Sequence, residues 1–383
     1  MKDLATVWKL EWLRLTSNRG LLFLVVAWPL LYAFFFGGIF LDRVVNHMPT
    51  AIVDLDNSAL SHTYLRFLES NRSFRLDQSY SSPEELKNDF LSGKWAVAVI
   101  IPKDFQRNIK RGHRVQITAW INATNLIVAN LAASELATLT GTVAGGVQLK
   151  VLRKGGLSLV RAMNMIQPIP LEMARLYNPG LNYLNYLTPG IWAAILHQVL
   201  ILLGALCFVP HQQRQEIPAL LAQVKSSNSF FWGKWTFYFA VGLISFELFF
   251  RVVFPLFNVG LHAPVYQLLI FSSLLTATAL SLGCLISLAS SRTVGAMKGV
   301  LLLASPAFIL SGYTFPIKEM PAVYEYITAI FPLTPFISGY RKIYQEGATL
   351  HEVTPEMLHL ALLLVVYLGL ALLFYRKKWR APS

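Results

Sequence analysis

Four polar side chains in otherwise apolar segments are the residues of this sequence best suited to act inside a membrane. Glu247 and Arg251 are four positions apart, so on a helix they share one face and can pair. His197 and Gln198 lie together in another apolar segment. Because charged and polar groups are costly within a bilayer, these residues are candidates for contact with a substrate or for energetic coupling. The structural alternatives are a self-neutralising pair and hydrogen bonding between helices.

Motifs for catalysis and cofactor binding are missing from the sequence. A phosphate-binding loop requires GxxxxGK followed by Ser or Thr, and neither Gly93-Lys94 nor Gly233-Lys234 has the earlier glycine. No HExxH or GxSxG run occurs, and both cysteines, Cys207 and Cys284, lie in apolar runs where cysteine acts as a small hydrophobe. We therefore expect no catalytic residue, metal or cofactor on this chain.

The apolar residues that surround these positions are grouped into segments long enough to cross a membrane. The chain has 383 residues, of which 55% are hydrophobic, and its mean hydropathy is +0.49. A span needs about 20 mostly apolar residues. The sequence predicts six spans, at residues 21–40, 191–209, 236–259, 266–289, 300–315 and 358–375.

Basic residues beside the spans predict the orientation of the chain, because short cytoplasmic segments are rich in Lys and Arg. Thirteen such residues lie on one side: Lys2, Lys9, Arg14, Arg19, Arg214, Lys225, Lys234, Arg292, Lys298, Arg376, Lys377, Lys378 and Arg380. The short segments of the other side carry only three: Lys318, Arg341 and Lys342. Both termini are therefore predicted to be cytoplasmic. The net charge of +13 fits contact with membrane lipids and this orientation better than nucleic-acid binding.

The segments outside the spans divide into a terminal helix and a large inserted domain. Residues 1–20 predict an amphipathic helix at the membrane interface, and a helix packed on protein is the alternative; its apolar face holds Leu4, Val7, Trp8, Trp12 and Leu15. Residues 41–187 predict an extracytoplasmic α/β domain. Its expected strands are 50–54, 73–78, 95–101 and 115–122, its helices are 58–70, 82–91 and 102–110, and the helices of a stalk are 125–152 and 157–165.

Residues 188–383 are predicted to form a five-helix transmembrane region with two special segments. A cytoplasmic loop at 210–235 contains an amphipathic, helix-capable stretch at 212–224, which suits a lever for a partner protein but fits a plain connection equally well. A re-entrant or interfacial segment is expected at 318–345, around the Pro-rich stretch 331–337. The predicted fold is thus an α-helical membrane protein of six spans with an α/β domain between the first two.

Short motifs in a characteristic order carry a resemblance to a known family. They are Ile52-Val53-Asp54, Asn57-Ser58, Ser92-Gly93-Lys94, Ile101-Pro102-Lys103-Asp104-Phe105, Tyr177-Asn178-Pro179, Pro189-Gly190, Ser305-Pro306, Leu310-Ser311-Gly312, Phe315-Pro316-Ile317, Met320-Pro321 and Pro332-Leu333-Thr334-Pro335. Their order, over nearly the whole chain, resembles the type-2 ABC exporter permeases with an extended extracytoplasmic domain.

This resemblance implies a dimer of permeases, each bound to a cytoplasmic ABC ATPase that carries ATP and magnesium. It implies a coupling helix in the cytoplasmic loop, with Arg214, Glu216, Pro218, Leu220 and Leu221 as ATPase-coupling residues. The family's Arg-Glu-x-Gly-Thr-like run is altered here, because Ile217-Pro218 stands where Gly-Thr is expected. One hypothesis is that the chain is the divergent half of a heterodimer, so the second permease is either another copy or a paralogue.

The function implied is export of a hydrophobic or amphipathic substrate across a bacterial inner membrane, with a periplasmic adaptor and an outer-membrane channel as further partners. The substrate stays open among drug, lipid, glycan precursor, peptide and ion. A different class of function is a non-transporting sensor that relays a signal from the outer domain. A stand-alone secondary transporter fits less well, because it predicts inverted repeats that the sequence lacks.

The Pro-rich stretch is predicted to form an outer gate, with Phe331, Pro332, Pro335 and Phe336 as its residues. Irregular backbone at membrane depth is tolerated only when it is buried in protein or lines a cavity. We therefore expect the double variant Pro332→Ala/Pro335→Ala to assemble but to lose substrate movement, measured as ATP-dependent transport in membrane vesicles. Normal assembly together with normal transport would exclude the gate.

Overall fold

The computed structural model describes residues 2–41, 45–167, 176–179, 182–224 and 226–379. Over these residues the chain is mostly helical and contains one four-stranded sheet. It divides into two units. The inserted unit is Val44–Ala174, and the helical unit combines Met1–Arg43 with Arg175–Ser383. Each unit has its own hydrophobic core.

The helices are numbered in chain order over the described residues. They are α1 (Lys2–Ser17), α2 (Arg19–Ile39), α3 (Ala59–Ser70), α4 (Pro83–Leu91), α5 (Phe105–Lys110), α6 (Leu126–Lys154), α7 (Leu159–Ile166), α8 (Tyr183–Ala205), α9 (Val209–Gln213), α10 (Ile217–Leu221), α11 (Ser227–Leu256), α12 (Val265–Ala289), α13 (Thr293–Leu310), α14 (Ala322–Ala329), α15 (Leu333–Glu346) and α16 (Thr354–Lys378). The long helices α2 and α11 each contain one π-helical turn, at Phe23–Ala27 and Phe249–Val253.

The inserted unit is built on a mixed sheet of β1 (Met48–Asp54), β2 (Phe74–Tyr80), β3 (Val97–Ile101) and β4 (Thr118–Ile121). The strand order is β2-β1-β3-β4; β1 pairs in parallel with β2 and β3, and β4 is antiparallel to β3. Every residue of β3 is buried, because apolar cores cover both faces of the sheet. Val97, Val99 and Ile101 belong to one core, and Ala98 and Ile100 belong to the other.

Local signals explain why the helices of this unit begin where they do. Ser58 caps α3, since its side chain accepts the N–H of Ser61 while the Ser61 side chain accepts the N–H of Ser58. Ser82 caps α4, and Pro83 stands in its first turn. The predicted fourth strand, 115–122, is shorter than expected, because only Thr118–Ile121 pairs with β3.

Helix α6 corresponds to the first helix of the predicted stalk. It is one of seven helices in the described part of the chain that are long and apolar enough to cross a membrane. The other six overlap the predicted spans, and length and composition alone leave the count of six spans open. Ala132, Leu136, Leu139 and Val143 of α6 are buried in the core on one face of the sheet. The α6 helix therefore contributes one apolar face to the core of the inserted unit.

The helical unit is organised around α8 and α12, which approach each other through glycine. A Cβ added at Gly204 would lie 2.8 Å from the backbone N of Cys284, and one at Gly283 would lie 2.8 Å from the Cα of Gly204. Small residues let helix backbones come this close within membranes. Helix α12 also packs along α16 and α11, so it holds the centre of this unit.

The bounds of the fifth predicted span and the irregular backbone expected at 331–337 need correction, whereas the re-entrant or interfacial placement of 318–345 stays a prediction. The fifth predicted span, 300–315, is displaced toward the N-terminus, because α13 begins at Thr293 and ends at Leu310; Gly312 follows in the left-handed region at φ 80° and ends the helix. The stretch 331–337 is largely helical, since α15 begins at Leu333 with Pro332 as its N-cap. Proline is compatible with the start of a helix.

Lys225 and Arg380, which helped to predict the orientation, lie outside the described residues. So do the junctions 42–44, 168–175 and 180–181, which fall within the predicted domain 41–187. The extracytoplasmic placement of that domain stays a prediction.

The close approach of α8 and α12 leads to a prediction about stability. Gly283→Ala places a methyl group against the backbone of α8, and we expect it to lower the stability by about 1–3 kcal/mol, the usual cost of overpacking. The measurement is thermal unfolding of the full chain in one detergent, followed by size-exclusion chromatography. Gly295→Ala is the matched control, because a Cβ there meets nothing within 4 Å. Equal unfolding temperatures for the two variants would contradict the close contact.

Candidate functional site

A buried cluster of charges joins the N-terminal helix to the transmembrane region. Glu11 of α1 accepts a hydrogen bond from the ammonium of Lys234 on α11, and both residues are almost fully buried, with 3% and 0% exposed. The Tyr238 hydroxyl donates to Glu11 Oε2 at 2.6 Å, and Arg14 Nη1 lies 3.3 Å from the same oxygen. The Glu11 carboxylate thus has three hydrogen-bonding partners.

The neighbours of this cluster explain why two charges can be buried there. Lys234 Nζ lies 5.1 Å from the ring centroid of Phe230 and 6.0 Å from that of Phe208, within the range of cation–π attraction. Arg14 Nη2 donates to the backbone carbonyl of Leu206 at 2.9 Å. Burial raises the pKa of Glu11, but the Lys234 and Arg14 charges and the hydrogen bonds outweigh it and lower that pKa to about 2. The carboxylate is therefore ionised at neutral pH.

This arrangement differs from the amphipathic face expected for residues 1–20. Val7, Glu11 and Leu15 form the buried side of α1, and Trp12 is 58% exposed. The contact is close because Gly233 of α11 leaves room for Val7; a Cβ there would lie 2.6 Å from the Val7 Cβ. The helix packs on protein along one face, while Trp8 and Trp12 remain exposed. Location at the membrane interface stays a prediction.

The loop after α8 is tied to α12 and α13 by side-chain hydrogen bonds. Ser287 Oγ accepts the backbone N–H groups of Phe208 and Val209 at 3.1 and 2.9 Å. Gln213 Oε1 accepts from the backbone N and the hydroxyl of Thr293 at 3.0 and 2.9 Å, at the first turn of α13. The position of this loop is therefore linked to the start of α13.

The predicted coupling helix at 212–224 is replaced by two short helices, α9 and α10. The break falls at Gln215, whose φ is 55°, a left-handed conformation that ends α9. Pro218 stands in the first turn of α10, where its missing N–H costs nothing. His211 Nδ1 and Glu216 Oε2 lie 2.7 Å apart across the break, and this hydrogen bond lowers the pKa of Glu216.

The predicted ATPase-coupling residues divide into an exposed and a packed group. Arg214 and Pro218 are exposed, and so is Ala219 beside them. Leu220 and Leu221 are partly buried against the core that contains Lys234's neighbours Phe208 and Phe230. The loop thus offers an outer surface and an inner one that reaches the helix bundle.

A cavity of about 1250 Å³, here called the N-terminal cavity, opens between these elements. Its walls come from α1, the start of α2, the second half of α8, the loop with α9 and α10, and the start of α13. Apolar residues such as Leu202, Leu206 and Met297 form most of the lining. The polar part of the lining is Glu11, Arg14, Ser17, Asn18, Arg19, Gln198, His211, Gln213, Arg214 and Thr293. Such a mixed lining suits an amphipathic molecule.

The structure brings one predicted intramembrane residue to this cavity and leaves three elsewhere. Gln198 lines it together with Arg214 and Leu220. Arg251 Nε donates to Glu247 within α11, so the expected pair forms, and its role stays a prediction. His197 is buried, and its Nε2 has no partner in the described part of the chain, so the expected hydrogen bond is not found at that atom.

The residues predicted for the outer gate are buried in the core of the helical unit. Phe336 stacks on Phe271 and Tyr340, with ring centroids 5.2 and 5.1 Å apart. Phe331, Pro332 and Pro335 are buried beside it. Helix α15 is held at its far end by Arg341, which donates to the Tyr313 carbonyl at 3.0 Å.

Within the described ranges, no group of three or more His, Cys, Asp or Glu side chains is placed to hold a metal ion. The helices, the charge cluster and the cavity define a multi-pass helical membrane protein with an α/β unit inserted after its first apolar helix.

Comparison with known proteins then names the family. The family model described as "ABC-2 family transporter protein" matches residues 19–373. The chain belongs to this ABC-2 family of transporter proteins and is a permease of that type.

Three relatives that are similar along most of the chain are described as permeases. The "Probable multidrug ABC transporter permease YbhS" of Escherichia coli (strain K12) is 25% identical over 361 residues, 93% of this chain and 92% of the relative. YbhR of the same strain, with the same description, is 22% identical over 345 residues, which are 87% of this chain and 88% of the relative. The "Inner membrane transport permease YhhJ" is 24% identical, covering 87% and 86%.

The charge cluster leads to a further prediction about stability. Glu11→Gln leaves the Lys234 ammonium buried without its carboxylate, and we expect a loss of about 3–5 kcal/mol of stability, typical of breaking a buried pair. Thermal unfolding of the full chain in detergent measures this loss.

Two further variants serve as controls for that measurement. Glu325→Gln, which changes an exposed carboxylate of α14, should unfold like the wild type. Glu11→Gln/Lys234→Met removes both charges and should recover part of the loss. If Glu11→Gln unfolds at the wild-type temperature, the cluster does not hold α1 in place.

Proposed function

We propose that this chain is the transmembrane permease subunit of an ATP-driven ABC exporter. It moves a hydrophobic or amphipathic substrate, a drug or a lipid-like molecule, outward across a bacterial inner membrane. The family membership supports the transporter class, and the descriptions of YbhS and YbhR as probable multidrug permeases support a multidrug substrate. The observation that carries the proposal is the N-terminal cavity. It is large enough for a substrate, and its lining includes Arg214 and Leu220 of the coupling loop.

The loop transmits force by its attachments. A partner ATPase that binds ATP and magnesium closes and pushes on α10 through the exposed residues Arg214, Pro218 and Ala219. Because Ser287 and Thr293 bind the loop, the push reaches α12 and α13 directly. Such coupling requires two states whose equilibrium ATP changes. The hydrogen bond between Glu216 and His211 holds α9 and α10 together across the break.

Substrate enters at the N-terminal cavity. The apolar wall accepts the body of the substrate, and Arg14, Arg19 and Gln198 contact its polar groups. Displacement of α13 changes the cavity directly, since Thr293, Val294 and Met297 line it. ATP-driven movement of the loop therefore alters the space available to the substrate, which is what a transport cycle requires.

The remaining parts of the proposal concern partners and placement. The permease works as a dimer with a second copy or a paralogue, and each permease binds one cytoplasmic ATPase. Both termini are cytoplasmic, and the inserted unit lies outside, where a periplasmic adaptor and an outer-membrane channel receive the substrate. Phe331, Pro332, Pro335 and Phe336 form the outer gate, as buried aromatic and proline residues at the start of α15.

Association with an ATPase tests the class of protein. The full chain is purified by an affinity tag from its native membrane in mild detergent, and mass spectrometry identifies what accompanies it. We expect a stoichiometric ABC ATPase and a second permease. Ala219→Trp, on the exposed side of α10, should lose the ATPase, while Ala322→Trp, at an alanine of α14 that is also exposed, should retain it.

Two outcomes of this purification contradict the proposal. If no ATPase accompanies the wild type under conditions that preserve a known ABC complex, the exporter is excluded in favour of the sensor. If Ala219→Trp retains the ATPase, α10 is not the coupling surface.

Transport in the same cells tests the cavity. Membrane vesicles report ATP-dependent movement of a lipophilic dye that the wild type transports. Met297→Trp fills the cavity from α13 and should slow transport several-fold without loss of the ATPase. Leu302→Trp lies on the same helix, is 77% exposed, does not line the cavity and should leave transport unchanged. Equal rates for the two variants would exclude the N-terminal cavity as the substrate path.

A further inference from the structure

The inserted unit contains a cavity of its own, which no part of the proposed transport cycle uses. It has a volume of about 700 Å³ and lies between α6, α5 with the segment that follows it, and the end of α7. This volume is in the range of about 300–1,000 Å³ that is typical of small-molecule sites. We call it the outer cavity because it belongs to the predicted outer domain.

The walls of the outer cavity are apolar over most of their extent. Val143, Val147 and Val151 recur along one face of α6, and Phe105 and Ile109 of α5 also line the cavity. The polar pair inside is already satisfied, since the Tyr64 hydroxyl and Thr140 Oγ1 are hydrogen-bonded at 2.9 Å. A ligand therefore meets hydrocarbon along most of this lining.

The lining also contains two exposed basic side chains at consecutive positions, His113 and Arg114. Arg114 forms no ion pair with any residue that the structure describes. No acidic side chain is among the described residues of the lining, and the remaining polar side chain is that of Gln148. The cavity thus combines an apolar interior with an unneutralised cationic edge.

We propose that the outer cavity binds a small amphiphile with an apolar tail and an anionic head group. The tail lies along the valines of α6, and the head group binds Arg114 and His113 at the edge. Burial of the tail supplies the binding free energy, because Val151 and Met165 of the lining are otherwise 58% and 62% exposed to water. The guanidinium supplies the preference for an anion, since it binds carboxylate, sulfate or phosphate in two-point geometry. This inference is independent of the proposed export function.

The test uses decanoate as the probe and the full chain in nanodiscs of phosphatidylcholine. Binding of radiolabelled decanoate is measured at equilibrium by scintillation proximity. We expect saturable binding that decyl sulfate displaces at a several-fold lower concentration than decylamine, because only the anions pair with Arg114. Unsaturable binding, or equal displacement by decylamine, would overturn the proposal.

Two pairs of variants locate the binding within the outer cavity. Ala144→Trp introduces a ring into the lining and should abolish saturable binding, whereas Ala137→Trp, two turns earlier on α6 and outside the lining, should retain it. Arg114→Gln should weaken binding about 2–5-fold, as expected for an exposed ion pair, and Arg72→Gln, an exposed arginine outside the lining, should not. Size-exclusion profiles and unfolding temperatures must match the wild type for all four variants.

Two results with these variants would contradict the proposed binding site. Saturable binding that Ala144→Trp leaves intact while the protein remains folded would place the probe elsewhere. Unchanged affinity in Arg114→Gln would remove the anionic part of the proposal. A final comparison identifies the source of the ligand: nanodiscs that contain phosphatidylglycerol should compete with decanoate if the occupant is an anionic membrane lipid, and should not if it is a water-borne amphiphile.

Discussion

The burial of Lys234 is the constraint on which the helical unit depends. An ammonium group without contact to water requires a carboxylate nearby, and Glu11 of α1 supplies it. Residues 223 positions apart are thereby held together. The N-terminal helix is consequently part of the bundle, and its Arg14 extends the contact to the end of α8. One ion pair thus determines where three elements meet, and the N-terminal cavity opens beside them.

The two units differ in where their polar groups lie and in how those groups are hydrogen-bonded. In the inserted unit, capping serines and a sheet with two apolar faces satisfy the backbone locally, and the charges stay at the surface. In the helical unit, polar side chains are buried and pair across helices, as Ser287 does with the backbone at Phe208. Movement of one helix there disturbs the hydrogen bonds of another. A bundle of this kind suits a protein that converts a push on a loop into a change of cavity shape.

Sequence patterns predict those features that local interactions determine. The strands and caps of the inserted unit follow from alternation and from Ser58 and Ser82, and the apolar runs mark the long helices. The Glu11–Lys234 pair could not be predicted, because each residue alone reads as one charge of an amphipathic or cytoplasmic segment. One signal was present: Gly233 beside Lys234 marks a helix face that another backbone can approach. The sequence does not predict the break at Gln215, because no glycine marks its positive φ.

The cap of α13 by Gln213 has a consequence for how readily the loop can leave its place. A side chain that satisfies a helix N-terminus contributes about 1 kcal/mol. At that strength this one contact is favoured only about fivefold over its broken state, whereas separation of Lys234 from Glu11 is far costlier. The contact of the loop with α13 is therefore weak, whereas the contact of α1 with α11 is strong. Thermal motion alone breaks the contact between Gln213 and Thr293, while the Ser287 hydrogen bonds still hold the loop to α12. An outside force therefore only has to favour the broken state of this contact.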